Sequence, residues 1–140
     1  MSKKVKILIL SHGKLAQALT ETAELIIGKN NDLHFINLTK EKSYESFKSE
    51  VENFVNNNIK FNIIIFLDMI GGTCYNVCCE IFKNKKNIKI FSGVNLPVLL
   101  ETVMNKDYIS FPELIMNIKK IGSESIVFVN ERLDKCKTKK

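Results

Sequence analysis

The run Phe61-Asn62-Ile63-Ile64-Ile65-Phe66-Leu67 is the most apolar in the chain, and it constrains the fold more than any other segment. Bulky apolar residues at every position from Ile63 to Leu67 leave no polar face. A strand built from them is covered on both sides, which places it centrally in a sheet flanked by helices. The run is far short of the roughly 20 residues a membrane-spanning helix needs. Val5 to Leu10 repeats the pattern with Lys6 as its only break, and after it Leu15, Ala18, Leu19, Ala23 and Ile26 recur at helical spacing until Gly28.

The same alternation continues along the chain. Leu33 to Leu38 reads as a strand, followed from about Ser43 by a helix carrying Tyr44, Phe47, Val51, Phe54 and Val55. The Phe61–Leu67 strand leads through Asp68-Met69-Ile70-Gly71-Gly72-Thr73 into a helix that bears cysteines. Ile88 to Ser92 gives a fourth strand. Asn95 then suits the cap, and Pro97 the first turn, of a helix with Leu99, Leu100 and Val103. A further helix starts at the capping box Ser110-Phe111-Pro112-Glu113 and is expected to stop at Gly122, and Ser125 to Asn130 reads as a closing strand. Repeated β-α units with short loops predict an α/β fold: one three-layer domain, a mainly parallel sheet with helices on both faces. At 140 residues the chain has the size of one compact domain. The domain is expected over residues 1–130, with 131–140 a basic, frayed and solvated tail containing Lys135, Lys137, Lys139 and Lys140.

The net charge of +6 does not point to nucleic acid, since Arg132 is the only arginine among 21 basic residues and phosphate readers favour the guanidinium fork. The lysine-led start of the chain reads as a buried first strand rather than a secretory signal. Four cysteines without such a signal suggest a reducing, cytoplasmic setting. Cys74 and Cys78 fall one helical turn apart on the apolar stripe with Val77 and Ile81, so packing is the favoured reading over zinc.

Chemistry gathers in three loops that follow strands. His12 stands in Ile9-Leu10-Ser11-His12-Gly13, at the carboxyl end of the first strand, where open α/β sheets bind ligands. Asp68 with Gly71-Gly72-Thr73 follows the third strand, and Gly93-Val94-Asn95 follows the fourth. If the loops converge, Asp68 accepts a hydrogen bond from one imidazole nitrogen and leaves the other as the attacking atom. The glycines let backbone approach a phosphoryl group, and the helix beginning at Thr73 offers free N–H groups to an anion. Singly, each residue has a plainer reading: a loop histidine, a turn-capping aspartate, a common glycine pair, a surface Asn76, a helix-capping Asn95. His34, inside the second strand, reads as structural.

Together the segments Ile9–Gly13, Asp68-Met69-Ile70-Gly71-Gly72-Thr73-Cys74-Tyr75-Asn76 and Gly93-Val94-Asn95-Leu96-Pro97 resemble the signature stretches of the enzyme IIA component of mannose-family sugar phosphotransferase systems, in matching order and spacing. The resemblance covers about residues 4–130. It implies a phosphotransferase component in which His12 accepts a phosphoryl group on Nε2 from phospho-HPr and passes it to a histidine of enzyme IIB during sugar uptake. Asp68 would orient the ring. Ser11, Gly13, Gly71, Gly72, Thr73, Asn76, Gly93 and Asn95 would bind the phosphoryl group or support the loops. It implies no metal and no cofactor, an indirect link to the membrane components IIC and IID, no membrane insertion, and a homodimer whose last strand, here Ser125 to Asn130, runs antiparallel. Cys74 departs from the proline common in the family.

The alternative is a regulatory module in which a binding partner reads the phosphorylation state of His12. A phosphohistidine hydrolase is disfavoured, because Ser11 stands where such enzymes carry arginine. A nucleotide-binding domain is disfavoured by the lack of a phosphate-loop pattern.

Overall fold

A computed structural model describes residues 3–82 and 85–138, without the side chains of 136–138. Cys136, Lys137, Lys139 and Lys140 therefore lie, in whole or in their side chains, outside the described residues. Four strands, β1 (Val5–His12), β2 (Leu33–Leu38), β3 (Asn62–Leu67) and β4 (Ile88–Ser92), form one sheet in the order β2-β1-β3-β4, and every pairing is parallel. Six helices are described: α1 (Leu15–Ile27), α2 (Tyr44–Asn57), α3 (Gly72–Ile81), α4 (Leu96–Asn105), α5 (Phe111–Glu124) and α6 (Val129–Thr138).

The apolar runs act as expected, because side chains alternate across a strand. Ile7 and Ile9 of β1, with Ile64 and Phe66 of β3, pack against Ala16 and Ala23 of α1 and against α4 and α5. Leu8, Leu10, Ile63, Ile65 and Leu67 face the other way, onto Phe47, Val51 and Val55 of α2 and Cys74, Val77 and Cys78 of α3. Cys74 and Cys78 are buried as packing residues, while Cys79 is exposed.

The chain order fixes where a ligand crevice opens. β2 lies on one side of β1, and α2 then carries the chain back across the sheet to β3 on the other side. The loops after β1 and β3 therefore diverge at the topological switch point, the usual binding crevice of open α/β sheets.

Three expectations need correction. No antiparallel last strand forms: residues 125–128 are irregular and a helix starts at Val129. The Ser125–Asn130 sequence has the β-branched and aromatic composition of a strand, but strands are held by ladder partners and packing, and Ile126, Val127, Phe128 and Val129 are all exposed in the single chain. The segment expected to fray continues helix α6 to Thr138. Helix α5 runs past Gly122 to Glu124, since Gly122 takes no left-handed turn. Instead, the Ser125 hydroxyl donates to the Gly122 carbonyl at 2.9 Å and closes the helix end.

Candidate functional site

His12 is the last residue of β1, and it keeps the parity of Leu8 and Leu10, which face the α2–α3 layer. Asp68 follows Leu67, the last residue of β3. The switch point brings the two together. Asp68 Oδ2 accepts hydrogen bonds from the His12 backbone N–H at 2.9 Å and lies 2.7 Å from His12 Nδ1. Asp68 Oδ1 accepts from the Met69 N–H at 2.8 Å. Burial pulls the Asp68 carboxyl up, but the His12 N–H, the His12 ring and the Met69 N–H together hold it below the ordinary carboxylate value. A carboxylate on Nδ1 fixes the ring orientation and leaves Nε2 as the ring nitrogen that Asp68 does not engage. The His12 side chain is 46% exposed, against 11% for Asp68, so the ring is available to a partner while its anchor is not.

Gly71 and Gly72 close the site from beneath. Both have positive φ, +87° and +82°, which a residue with a Cβ rarely adopts. A methyl group on Gly72 would stand 3.1 Å from both Cε1 and Nε2 of His12, so the close approach of ring to backbone also demands glycine. Nε2 thus sits against the start of α3, whose first N–H groups have no intrahelical acceptor and suit an anion. Thr73 joins His12 and Gly13 in the wall of an open cleft of about 510 Å³.

The other sequence-selected residues act at one remove. Ser11 is fully buried, and its Oγ accepts from the Ala16 N–H at 2.6 Å, capping α1 directly behind the histidine. The Gly13 N–H donates to the Leu38 carbonyl at 2.8 Å. Asn76 is exposed one turn into α3. Gly93 opens onto a different cavity of about 200 Å³ with Phe66, Phe91 and Val98. Asn95 caps α4 by accepting from the Val98 N–H at 3.1 Å and donates to Ser125 at 2.8 Å. The Val94 N–H donates to the Leu67 carbonyl at 3.0 Å, so this loop buttresses the strand end that carries Asp68.

The sequence reading groups the loops after the first, third and fourth strands. In the structure the loop after β2 takes the place of the fourth, because β2 lies directly beside β1 whereas β3 separates β4 from it. Thr39, Lys40, Lys42 and Tyr44 line the His12 cleft, and strand order, which they do not reveal in isolation, was the missing signal. His34 packs edge-on against Phe54 with ring centroids 5.1 Å apart, and burial followed by the Lys6 charge lowers its pKa. It has a structural environment, as expected. Cys74 lies beside Asp68, and burial first, then the aspartate charge, pushes its thiol up to about 12.

Residues 6–119 match the family model EIIA-man, described as PTS system fructose IIA component. The chain belongs to this family. The fructose-specific EIIA component of Bacillus subtilis (strain 168) is 27% identical over 135 residues, covering 96% of this chain and 92% of that protein. The mannose-specific EIIAB component of Escherichia coli (strain K12) is 28% identical over 127 residues, 87% of this chain and 38% of that longer protein. Among solved structures, the PTS IIA protein associated with the fucose utilization operon of Streptococcus pneumoniae superposes with a TM-score of 0.82 at 27% identity, covering 94% of this chain and 98% of that one. EIIA proteins of this type are phosphotransferase components that carry a phosphohistidine in the sugar phosphotransfer chain. Among the described residues, no helix is long and apolar enough to cross a membrane.

Proposed function

We propose that His12 is the phosphoryl carrier of this EIIA protein, taking the group from phospho-HPr on Nε2 and passing it to a histidine of enzyme IIB. The observation that carries this reading is the 2.7 Å contact of His12 Nδ1 with Asp68, which directs Nε2 toward the start of α3. In acceptance, Nε2 attacks phosphorus, the N–P bond to the donor ring breaks, and the donor imidazole leaves with its electron pair. In onward transfer a ring nitrogen of the enzyme IIB histidine attacks, the Nε2–P bond breaks, and His12 leaves with the pair. Nδ1 keeps its proton, and Asp68 balances the cationic character of the phosphorylated ring. Gly72 and Thr73 offer backbone N–H groups to the phosphoryl oxygens. Ser11, Gly13, Gly71, Gly93 and Asn95 hold the loops, and Asn76 stands where a docking partner reaches it. Positioning and electrostatics suffice, without metal or nucleotide as a reactant.

Exposed Leu15, the first residue of α1, and Met69 and Ile70, in the loop after β3, flank the histidine, and such apolar side chains suit transient docking of protein partners. Enzyme IIB as acceptor draws support from the Escherichia coli EIIAB relative, whose name joins the two components in one chain. The reading places the protein in the cytoplasm and its carrier domain in residues 1–130, outside the tail 131–140. The family match at 6–119 lies within that span. A homodimer is supported by the run Ile126-Val127-Phe128-Val129, exposed in the single chain just beyond the cavity at Gly122.

The test is phosphoryl transfer from phosphoenolpyruvate through enzyme I and HPr to wild type, His12→Ala and His34→Ala. Acid-labile, base-stable labelling is expected in wild type and His34→Ala and absent from His12→Ala. Labelling that survives His12→Ala overturns the assignment.

A further inference from the structure

The cluster around His12 holds a feature that phosphoryl transfer does not use. One ring nitrogen of His12, a carboxylate oxygen of Asp68 and the sulfur of Cys74 all lie within 4.8 Å of one another. The three come from separate segments: the end of β1, the turn after β3 and the first turn of α3. Imidazole, carboxylate and thiolate together form a borderline-soft donor set suited to Zn²⁺.

We infer that His12, Asp68 and Cys74 form a binding site for a thiophilic divalent cation of the Zn²⁺ type, and that its occupation stops phosphoryl acceptance. In tetrahedral zinc sites, bond lengths of about 2.0–2.3 Å separate neighbouring donors by roughly 3.3–3.7 Å. A spread of no more than 4.8 Å therefore closes around an ion with side-chain adjustments. The ring nitrogen facing Asp68 is the natural donor. The proton held between His12 Nδ1 and Asp68 Oδ2, now 2.7 Å apart, shifts to Nε2 as the ion takes its place, and the pair widens slightly to admit it. Bonding to sulfur releases the thiol proton to solvent, so one proton leaves as the dication enters. The half-exposed His12 ring gives the entry path, and water or a partner's donor completes the fourth position.

The consequence for transfer rests on the proposed role of His12. With the ion on Nδ1 and the Asp68 charge engaged by it, Nε2 carries the ring proton and has no lone pair with which to attack phosphorus. Linkage makes the effect reciprocal: if zinc disfavours phosphoryl acceptance at equilibrium, phosphorylation weakens zinc binding by the same factor. Zinc binding itself does not depend on that role.

The experiment uses the full chain, with Co²⁺ as a spectroscopic probe and Zn²⁺ measured by competition with a chromophoric chelator. Wild type is expected to bind one Co²⁺ with tetrahedral visible bands and a near-ultraviolet thiolate charge-transfer band. Cys74→Ala loses the thiolate band, and Cys74→Ala and Asp68→Asn each weaken Zn²⁺ binding by about 10–100-fold. Cys79→Ala leaves both unchanged. Circular dichroism establishes that each variant is folded. In parallel, purified phospho-HPr donates to each protein with and without Zn²⁺, and the ratio of the two rates is read. That ratio falls in wild type and returns toward unity in Cys74→Ala. A thiolate band that persists in Cys74→Ala, or Zn²⁺ affinity unchanged by both Cys74→Ala and Asp68→Asn, overturns the site. A site that binds zinc in a protein unlabelled by phospho-HPr keeps the metal inference and overturns the carrier reading instead.

Discussion

Two aspartates at opposite ends of the same sheet hold two kinds of nitrogen partner. At the amino ends of the strands, Asp32 accepts from Lys106 Nζ at 2.6 Å and Lys6 Nζ at 2.9 Å, with Lys4 at 3.3 Å. The Lys106 side chain is fully buried, and Asp107 is its second partner at 3.0 Å. At the carboxyl ends, Asp68 holds the half-exposed ring of His12. Lysine carries a permanent charge, so the lower cluster ties β1, the start of β2 and the end of α4 together and does nothing more. Imidazole keeps a second nitrogen when a carboxylate holds the first, and the half-exposed ring leaves it within reach of a partner. A carboxylate contact is suited to chemistry when its partner keeps a second nitrogen at an open edge, and the upper pair has that geometry.

The largest effect is expected at the lower end. Asp32→Ala leaves the buried Lys106 ammonium with Asp107 alone, and breaking a buried pair by removing one partner costs about 3–5 kcal/mol. Urea unfolding should show that loss, while phosphoryl acceptance per folded molecule stays near wild type. Equal loss of both would place Asp32 in the service of the histidine and erase the contrast. Asp68→Asn reverses the pattern. Its amide keeps the shape but not the charge, so acceptance from phospho-HPr should fall about 100-fold, about 2.7 kcal/mol of transition-state stabilisation, with stability changed by less than about 1 kcal/mol.

Acid sharpens the comparison further. Burial raises the Asp32 carboxyl, but hydrogen bonds from Lys106 and Lys6, the Lys106 charge and Lys4 outweigh it, bringing the pKa from the ordinary 3.8 to about 2. A depressed folded-state pKa contributes stability that is fully present above the unfolded value and is lost as pH falls through the folded value. About 2 kcal/mol should therefore disappear between roughly pH 4 and pH 2. The lowered Asp68 carboxyl adds in the same direction. Asp32→Ala should flatten most of this slope in urea melts repeated across that range. An unchanged slope would assign the acid sensitivity elsewhere. Gly72→Ala lies between the two ends in magnitude: its positive φ costs about 1 kcal/mol, and its methyl presses on Nε2, so transfer should slow beyond what the stability loss explains. Normal transfer in a folded Gly72→Ala would remove the close approach from the account.

The upper pair was legible in the sequence and the lower cluster was not, for a physical reason. His12 and Asp68 each follow an apolar run that marks a strand end, and strand ends in an α/β fold share an edge. Val5–Leu10 and Phe61–Leu67 are apolar but for Lys6 and Asn62 because both faces of β1 and β3 are covered, which local sequence records directly. Asp32 and Lys106 are 74 positions apart, and nothing around either one marks its neighbour. The Ser125–Asn130 segment misled for the opposite reason, since its local composition is that of a strand while pairing is decided by an edge elsewhere. Tyr44 and Lys40 escaped notice because their place beside His12 follows from β2 adjoining β1, a fact of strand order rather than of composition.

The smallest effect tests whether burial, rather than the number of lysines, makes the lower cluster an anchor. Lys4 reaches the same Asp32 oxygen as Lys6, but its side chain is 52% exposed where that of Lys106 is fully buried. An exposed ion pair gives up side-chain entropy and is screened by solvent, so its net worth is about 0–1 kcal/mol. Lys4→Ala should accordingly change unfolding stability by no more than about 0.5 kcal/mol, and salt at about 0.5 M should erase the difference. Lys106→Met removes the buried partner of the same carboxylate and should cost several-fold more. Near-equal losses in the two variants would mean that Asp32 responds to summed charge at its end of the sheet, and the distinction between an anchoring pair and a working pair would then rest on the histidine alone.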